Sequence, residues 1–216
     1  FVFYDLKLES SPGNFKKLNN ILIDLSLVLK SHSKPILKIK SNEGLVQLQL
    51  TKSISEKFLL KDLHSKFKKS EFILIGETIE GHPFYYDFKC DPHLLIAGTT
   101  GSGKSNLLHN IIWNCSHFVN TEMHLIDPKK IEFSSWKDHE KVHSISSSYE
   151  EAFQIIKHLS GTMESRYSLL SKNKNIQFSK IFLVIDELAD IMLQDSTKQF
   201  EKELVKLAAK SRACGI

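Results

Sequence analysis

The pattern of apolar and polar positions changes rhythm near Pro92. Before it, short alternating runs surround one amphipathic stretch. Residues 2–9 alternate loosely and predict a strand. Ser11-Pro12-Gly13-Asn14 predicts a turn, with Asn14 able to cap a helix over Phe15–Lys30 whose apolar face carries Leu18, Ile21, Leu22 and Leu25. Ile36–Ile39 and Leu45–Leu50 predict two strands, split by the turn signal Ser41-Asn42-Glu43-Gly44. A short helix over Phe58–Phe67 follows, then strands over Phe72–Ile75 and Phe84–Phe88 joined through the Gly81-His82-Pro83 turn.

From Pro92 onward strands and helices alternate. Strands are predicted at 94–97, Met123–Ile126, Val142–Ile145 and Ile181–Ile185, and helices at 104–118, Tyr149–Leu170 and Ser196–Ser211. These strands are short apolar runs without internal alternation, the pattern of a mostly parallel sheet covered on both faces. The chain therefore reads as α/β, with a small N-terminal α+β domain over residues 1–72 and a core over 73–216. In such sheets the ligand binds at the carboxyl ends of the strands. Gly98, Asp127 and Asp186 each stand at a predicted strand end.

Gly98-Thr99-Thr100-Gly101-Ser102-Gly103-Lys104-Ser105 matches G-x-x-x-x-G-K-[ST] at every fixed position, between a predicted strand and a predicted helix. Glycines let successive backbone N–H groups point at phosphate oxygens, and the helix end adds its partial positive charge. Lys104 is expected to reach the β- and γ-phosphates of ATP, and Ser105 to give its hydroxyl to Mg²⁺. Ile181–Ile185 then leads into Asp186-Glu187. Asp186 is placed to hold Mg²⁺, and Glu187 to take a proton from attacking water as general base. Kinases of the same class usually lack that second carboxylate, so the pair points to hydrolysis.

Composition narrows the class without naming it. The 216 residues are 41% hydrophobic and 25% charged, ordinary for a globular protein. No apolar run approaches the ~20 residues of a membrane helix. The three cysteines, Cys90, Cys115 and Cys214, are widely spaced and suit a reducing, cytoplasmic interior. The formal net charge of +4 is too small to argue nucleic-acid binding by itself. Only Arg166 and Arg212 are arginine among 29 basic residues, which suggests that a forked guanidinium is required at each.

The stretches PHLLIAGTTGSGKSNLL, LIDPKKIEF, MESRYSLL, IFLVIDELADIM and LVKLAAKSRACGI resemble, in order, the motor of the FtsK/SpoIIIE family of DNA translocases. Residues 1–91 are loosely similar to the small domain that precedes that motor. The resemblance implies a RecA-like P-loop NTPase core that hydrolyses ATP, works on double-stranded DNA and self-associates into a ring, as a hexamer. It also implies that Arg212 inserts into the neighbouring subunit's ATP site as a catalytic arginine. Arg166 lies in a helix the family shares, where an ion pair within the fold is the default expectation.

In the family the next strand carries an ATP-sensing glutamine and leads to DNA-gripping loops. The chain starts at Phe1 and stops at Ile216, so the core is expected to be incomplete at its C-terminus. Any membrane anchor is expected outside these residues. Only 13 residues, Ser168–Lys180, separate Tyr167 from the second motif strand, where chromosomal members carry a longer insertion. A related ring that serves conjugative DNA transfer or protein secretion is the alternative reading, and an assembling scaffold that does not hydrolyse is another.

Three further signals carry less weight. His139-Glu140-Lys141-Val142-His143 fits the H-E-x-x-H zinc pattern, but that chemistry needs both histidines on one helix face, and 142–145 reads as a strand. Lys198, Lys202, Lys206 and Lys210 form a stripe on the last helix, read as a solvated face balanced by Glu201 and Glu203. Lys129 and Lys130 stand just past a strand end, where phosphate contact is conceivable.

Overall fold

The computed structural model describes residues 2–7, 21, 22, 24, 36–40, 45–50, 72–78 and 82–216. The chain divides into two compact units, Phe1–Leu59 and Leu60–Ile216. In the first, β1 (Val2–Lys7), β2 (Ile36–Lys40) and β3 (Leu45–Leu50) form an antiparallel sheet with β3 in the middle. Leu48 is buried there. Ile21, Leu22 and Asp24 are helical, and Leu22 is buried while Ile21 is half exposed. The rest of the expected 15–30 helix, the turn at 41–44 and the expected 58–67 helix lie outside the described residues.

The second unit begins with a hairpin of β4 (Ile73–Glu77) and β5 (Pro83–Tyr86). Its core is a parallel sheet of β6 (Thr121–Ile126), β7 (Val142–Ser146) and β8 (Lys180–Ile185) in the order β7-β6-β8. The helices are α1 (Lys104–Ser116), α2 (Tyr149–Lys172), α3 (Leu188–Gln194) and α4 (Gln199–Lys210). A 3₁₀ turn, Ser211–Cys214, follows α4.

Alternation along β6 sorts its side chains between two cores. Met123 and Leu125 pack with Leu108, Ile111, Ile112 and Cys115 of α1. Ile126 packs with Ala152, Ile156, Leu159 and Met163 of α2 and with Phe200 and Leu207 of α4. Burial of each large aliphatic side chain here contributes roughly 1.5–3 kcal/mol. The expected parallel sheet covered on both faces is thus present, and the central strand carries it. Two asparagines on one face of α1 also hold the hairpin: Asn110 Nδ2 donates to the Leu74 carbonyl at 2.8 Å, and Leu74 N–H donates to Asn114 Oδ1 at 3.4 Å.

Leu94–Ala97 is not a strand, contrary to the pattern-based expectation. Leu95 is 82% exposed. An unalternating apolar run becomes a strand only if a neighbour takes its backbone groups. Here Tyr86 Oη donates to the carbonyls of Asp91 at 2.7 Å and His93 at 3.0 Å, holding the run's entry by side-chain bonds instead. The Ile181 N–H at the start of β8 is taken by the Gly215 carbonyl at 2.9 Å.

Two other differences concern the last third. A helix, α3, starts directly after Glu187 where none was expected. Arg166 makes carbonyl bonds where an ion pair was the default. Its Nη1 donates to the carbonyls of Ser179 at 2.8 Å and Cys214 at 2.6 Å, and its Nη2 donates to Ser179 Oγ at 2.9 Å. The guanidinium also lies over the Phe178 ring at 5.0 Å. A planar fork suits three acceptors at fixed positions better than one carboxylate would. No helix among the described residues is long and apolar enough to cross a membrane.

Candidate active site

Packing of α1 against β6 brings the loop 98–105 to the carboxyl end of the sheet, where β8 delivers Asp186 and Glu187. Gly103 caps α1 at φ 96°, a left-handed conformation that side chains rarely adopt, and no side chain or acidic residue occupies the helix start. Its first-turn N–H groups therefore keep their capacity for an anion. Gly98 matters for a different reason: a Cβ there would meet Ser102 Oγ and force that side chain to turn. The loop closes on itself through Ser102 N–H to the Thr99 carbonyl at 3.0 Å. Thr99, Thr100 and Gly101 are exposed and line in part a cleft of about 1600 Å³.

Lys104 reaches across to both carboxylates. Its Nζ lies 3.1 Å from Asp186 Oδ1 and 3.5 Å from Glu187 Oε2, and it donates to the Asp186 carbonyl at 3.0 Å. Burial alone would lower the lysine, but the two carboxylates more than offset that, so its ammonium titrates above the ordinary lysine range. Asp186 is buried, and its N–H is tied to the Ile126 carbonyl at 3.0 Å, which fixes the strand end. Asp186 Oδ1 meets Lys104 at ion-pair distance yet makes no directed hydrogen bond among the described residues.

The buried Asp186 carboxylate, at a strand end beside the head of α1, fits a hydrated divalent cation and a polyphosphate. Ser105, the second residue of α1, brings a hydroxyl to the same end of the helix. The residues present therefore suit Mg²⁺ and ATP, with Ser105 and Asp186 as the groups that would hold the ion.

Glu187 is a third exposed and carries two cations on one oxygen. Lys129 Nζ stands 3.3 Å from Glu187 Oε2 and 3.7 Å from Asp190 Oδ2. Lys129 first, then Lys104, hold the Glu187 carboxyl below its ordinary value. The same contacts raise Lys129. The sequence pattern offered Lys129 as a phosphate contact; the structure gives it an acidic partner instead. The signal that links 129 to 187 is the adjacency of β6 and β8, which spacing along the chain does not contain. Asp127 stands at the end of β6, buried, and its Oδ2 accepts the Phe133 N–H at 3.0 Å. That bond orders the loop that carries Lys129.

Arg212 lines the same cleft but bonds elsewhere in it. It is exposed in the 3₁₀ turn after α4, and its Nη2 donates to the Lys89 carbonyl at 2.7 Å. His139 and His143 do not share a helix: the first lies in irregular backbone and the second on β7. Lys206 leaves the expected solvated stripe to pair with Glu164 of α2 at 3.0 Å, and Lys198 precedes α4 in a left-handed conformation.

The model of the FtsK/SpoIIIE family matches residues 59–180, more than half of the chain. The chain belongs to the FtsK/SpoIIIE family. Among relatives, DNA translocase FtsK of Helicobacter pylori strain J99 is 32% identical over 235 residues, covering 96% of this chain and 28% of that protein. DNA translocase FtsK of Treponema pallidum is 29% identical, covering 97% and 30% respectively. This FtsK/SpoIIIE chain thus spans under a third of the length of those relatives.

Solved structures share the fold. The pCW3 conjugation coupling protein TcpA, in a monomer form with ATPγS, superposes with a TM-score of 0.64 at 22% identity, over 92% of this chain and 61% of that one. EccC of Thermomonospora curvata, ATPases 2 and 3 with a signal sequence peptide, gives a TM-score of 0.56 at 24% identity, over 67% and 27%. The mixed α/β core with its parallel three-stranded sheet is therefore a P-loop ATPase fold of the FtsK/SpoIIIE type.

Proposed function

We propose that this chain is the ATP-hydrolysing core of a DNA translocase, in which hydrolysis drives double-stranded DNA through a ring of subunits. The observation that carries the reading is the placement of the Lys104 ammonium between Asp186 and Glu187 at the head of α1. Amides of residues 98–105 bind the phosphates, and Lys104 moves its charge from the carboxylates to the β- and γ-phosphate oxygens. Glu187 accepts the proton of the attacking water as the new oxygen–phosphorus bond forms and ADP departs with the broken one. Mg²⁺, held by Ser105 and Asp186, supplies charge neutralisation on the triphosphate when bound.

Arg212, on the exposed turn, is the group offered to a neighbouring subunit's site. An arginine used this way is worth ~10³–10⁵ in rate by stabilising charge on the transferring phosphoryl group. Its exposure, with its guanidinium bonded to the Lys89 carbonyl rather than to the catalytic carboxylates, supports a site completed by assembly. Six subunits are the size the family resemblance implies. Support for DNA as cargo comes from the translocase relatives, which match nearly the whole chain. Backbone phosphates, which carry no base identity, would be the contacts gripped.

The test is ATP turnover by the purified protein with and without linear duplex DNA at low salt. The reading predicts stimulation by duplex DNA. Turnover indifferent to DNA would favour a related ring that handles protein substrates.

A further inference from the structure

Two lysines address Glu187, and both meet the same oxygen. Lys104 Nζ and Lys129 Nζ lie 3.5 Å and 3.3 Å from Oε2. The first is the phosphate-binding lysine, and a triphosphate competes for its charge. The second stands on the loop after β6 and is braced at 3.7 Å by Asp190 in the first turn of α3. We propose that Lys129 is a positioning residue for hydrolysis: it holds Oε2 of Glu187 once Lys104 has turned to the nucleotide, so that Oε1 faces the attacking water.

The placement of Lys129 is built into the fold. The Asp127 N–H donates to the Ser146 carbonyl at 2.8 Å, and the Lys130 N–H donates back to the Asp127 carbonyl at 3.1 Å. Together with the Asp127–Phe133 bond, these set the course of the loop on both sides of Lys129. Lys130 takes φ 60°, which turns the chain sharply after Lys129. Glu187 is the N-cap residue of α3, at φ −123° and ψ 84°, and its side chain makes no capping hydrogen bond to that helix. A carboxylate on a long, partly exposed side chain keeps its rotamer freedom unless a partner removes it. Lys129 is that partner. Each group comes from a different strand end, so adjacency of β6 and β8 turns into alignment of the base.

This inference rests on Glu187 being the general base. Small displacements of a reacting group cost up to about 10²-fold in rate. Lys129→Ala is therefore expected to lower kcat for MgATP by roughly ten- to a hundred-fold while KM changes by less than about two-fold. Lys129→Arg is expected to restore most of the rate, because its guanidinium reaches the same carboxylate. Added to Glu187→Gln, Lys129→Ala is expected to cause no further loss, as residues acting through one another are non-additive.

Binding of a fluorescent ATP analogue to the intact protein, measured without turnover, is expected to match the wild type in both variants. In the nucleotide-free protein the thermal shifts of Lys129→Ala and Glu187→Gln should couple, because the pair exists before nucleotide arrives. Unchanged kcat in Lys129→Ala, or a loss equal in size in the Glu187→Gln background, overturns the proposal while leaving Glu187 as base. A Glu187→Gln variant with wild-type turnover instead overturns the underlying reading.

Discussion

Arg166 of α2 and Cys214 of the last turn meet through a guanidinium–carbonyl hydrogen bond of 2.6 Å. The same side chain reaches the Ser179 carbonyl and hydroxyl ahead of β8. One residue thus joins the helix covering the sheet, the entry to the strand that carries Asp186, and the turn that presents Arg212. Cys214 is fully buried, so its carbonyl loses a partner that water cannot easily replace.

Arg166→Lys keeps the charge and loses the fork. It is expected to lower unfolding stability by about 2–4 kcal/mol, since one ammonium cannot serve all three acceptors. Chemical denaturation measures this directly. A change within a few tenths of a kcal/mol would show that the staple is incidental.

Gly98→Ala tests the cradle. The added Cβ meets Ser102 Oγ and crowds its Cβ, so the Ser102 side chain must turn away and the loop must give by a few tenths of an ångström. Nucleotide binding should fall sharply while the thermal midpoint stays near wild type. Ser102→Ala in the same protein should recover part of the binding, because the nearest obstacle is removed. Equal loss in the single and double variants would place the constraint elsewhere.

Acid sensitivity should come from a buried histidine outside the catalytic cluster. His124 of β6 is 3% exposed, and its Nδ1 pairs with Ser144 Oγ at 2.7 Å. Burial foremost, and then the nearby His143 and His158, hold it below the ordinary histidine value despite Glu122 at 3.8 Å. A folded value below the unfolded one means that the unfolded chain binds the proton more readily. The stabilising contribution is therefore full above the unfolded value of about 6.5 and is lost as pH falls through the depressed folded value. His124→Asn should flatten the stability–pH curve over that range. A variant with the wild-type slope would remove His124 from the account.

Arg212→Ala should leave nucleotide binding by isolated subunits unchanged and reduce turnover of the assembled protein by ~10³ or more. Mixing Arg212→Ala subunits with Lys104→Ala subunits should recover activity at mixed interfaces, because each supplies what the other lacks. No recovery on mixing would contradict an arginine shared between subunits.

Sequence pattern revealed much of the core and the phosphate loop, for identifiable reasons. β6, β7 and β8 are local apolar runs, and α1 and α2 have clear helical faces, so tertiary contacts only reinforce them. Ser148 caps α2 by accepting the Glu151 N–H at 3.2 Å, a role the sequence pattern did not name. Leu94–Ala97 misled because an apolar run says nothing about whether a neighbour strand will bond it. The short α3 was missed because its seven residues offer barely two turns of periodicity.

α4 was placed a turn too early, and its actual start has a physical cause. Asp195 accepts the N–H groups of Gln199 at 3.0 Å and Glu201 at 2.9 Å, while Tyr149 Oη donates to it at 2.7 Å. An Asp ahead of a helix is a legible cap signal; the cross-chain tyrosine that orients it is not. Lys129 belongs to the same category, since its partner Glu187 lies 58 positions away.

The central claim is that Lys104, Asp186 and Glu187 form one hydrolytic site. Its most direct test is single-turnover hydrolysis of MgATP by Glu187→Gln protein in the presence of duplex DNA. The account predicts that ATP binds with near wild-type affinity and persists uncleaved, with the rate lowered by at least about 10². Hydrolysis at the wild-type rate would contradict it.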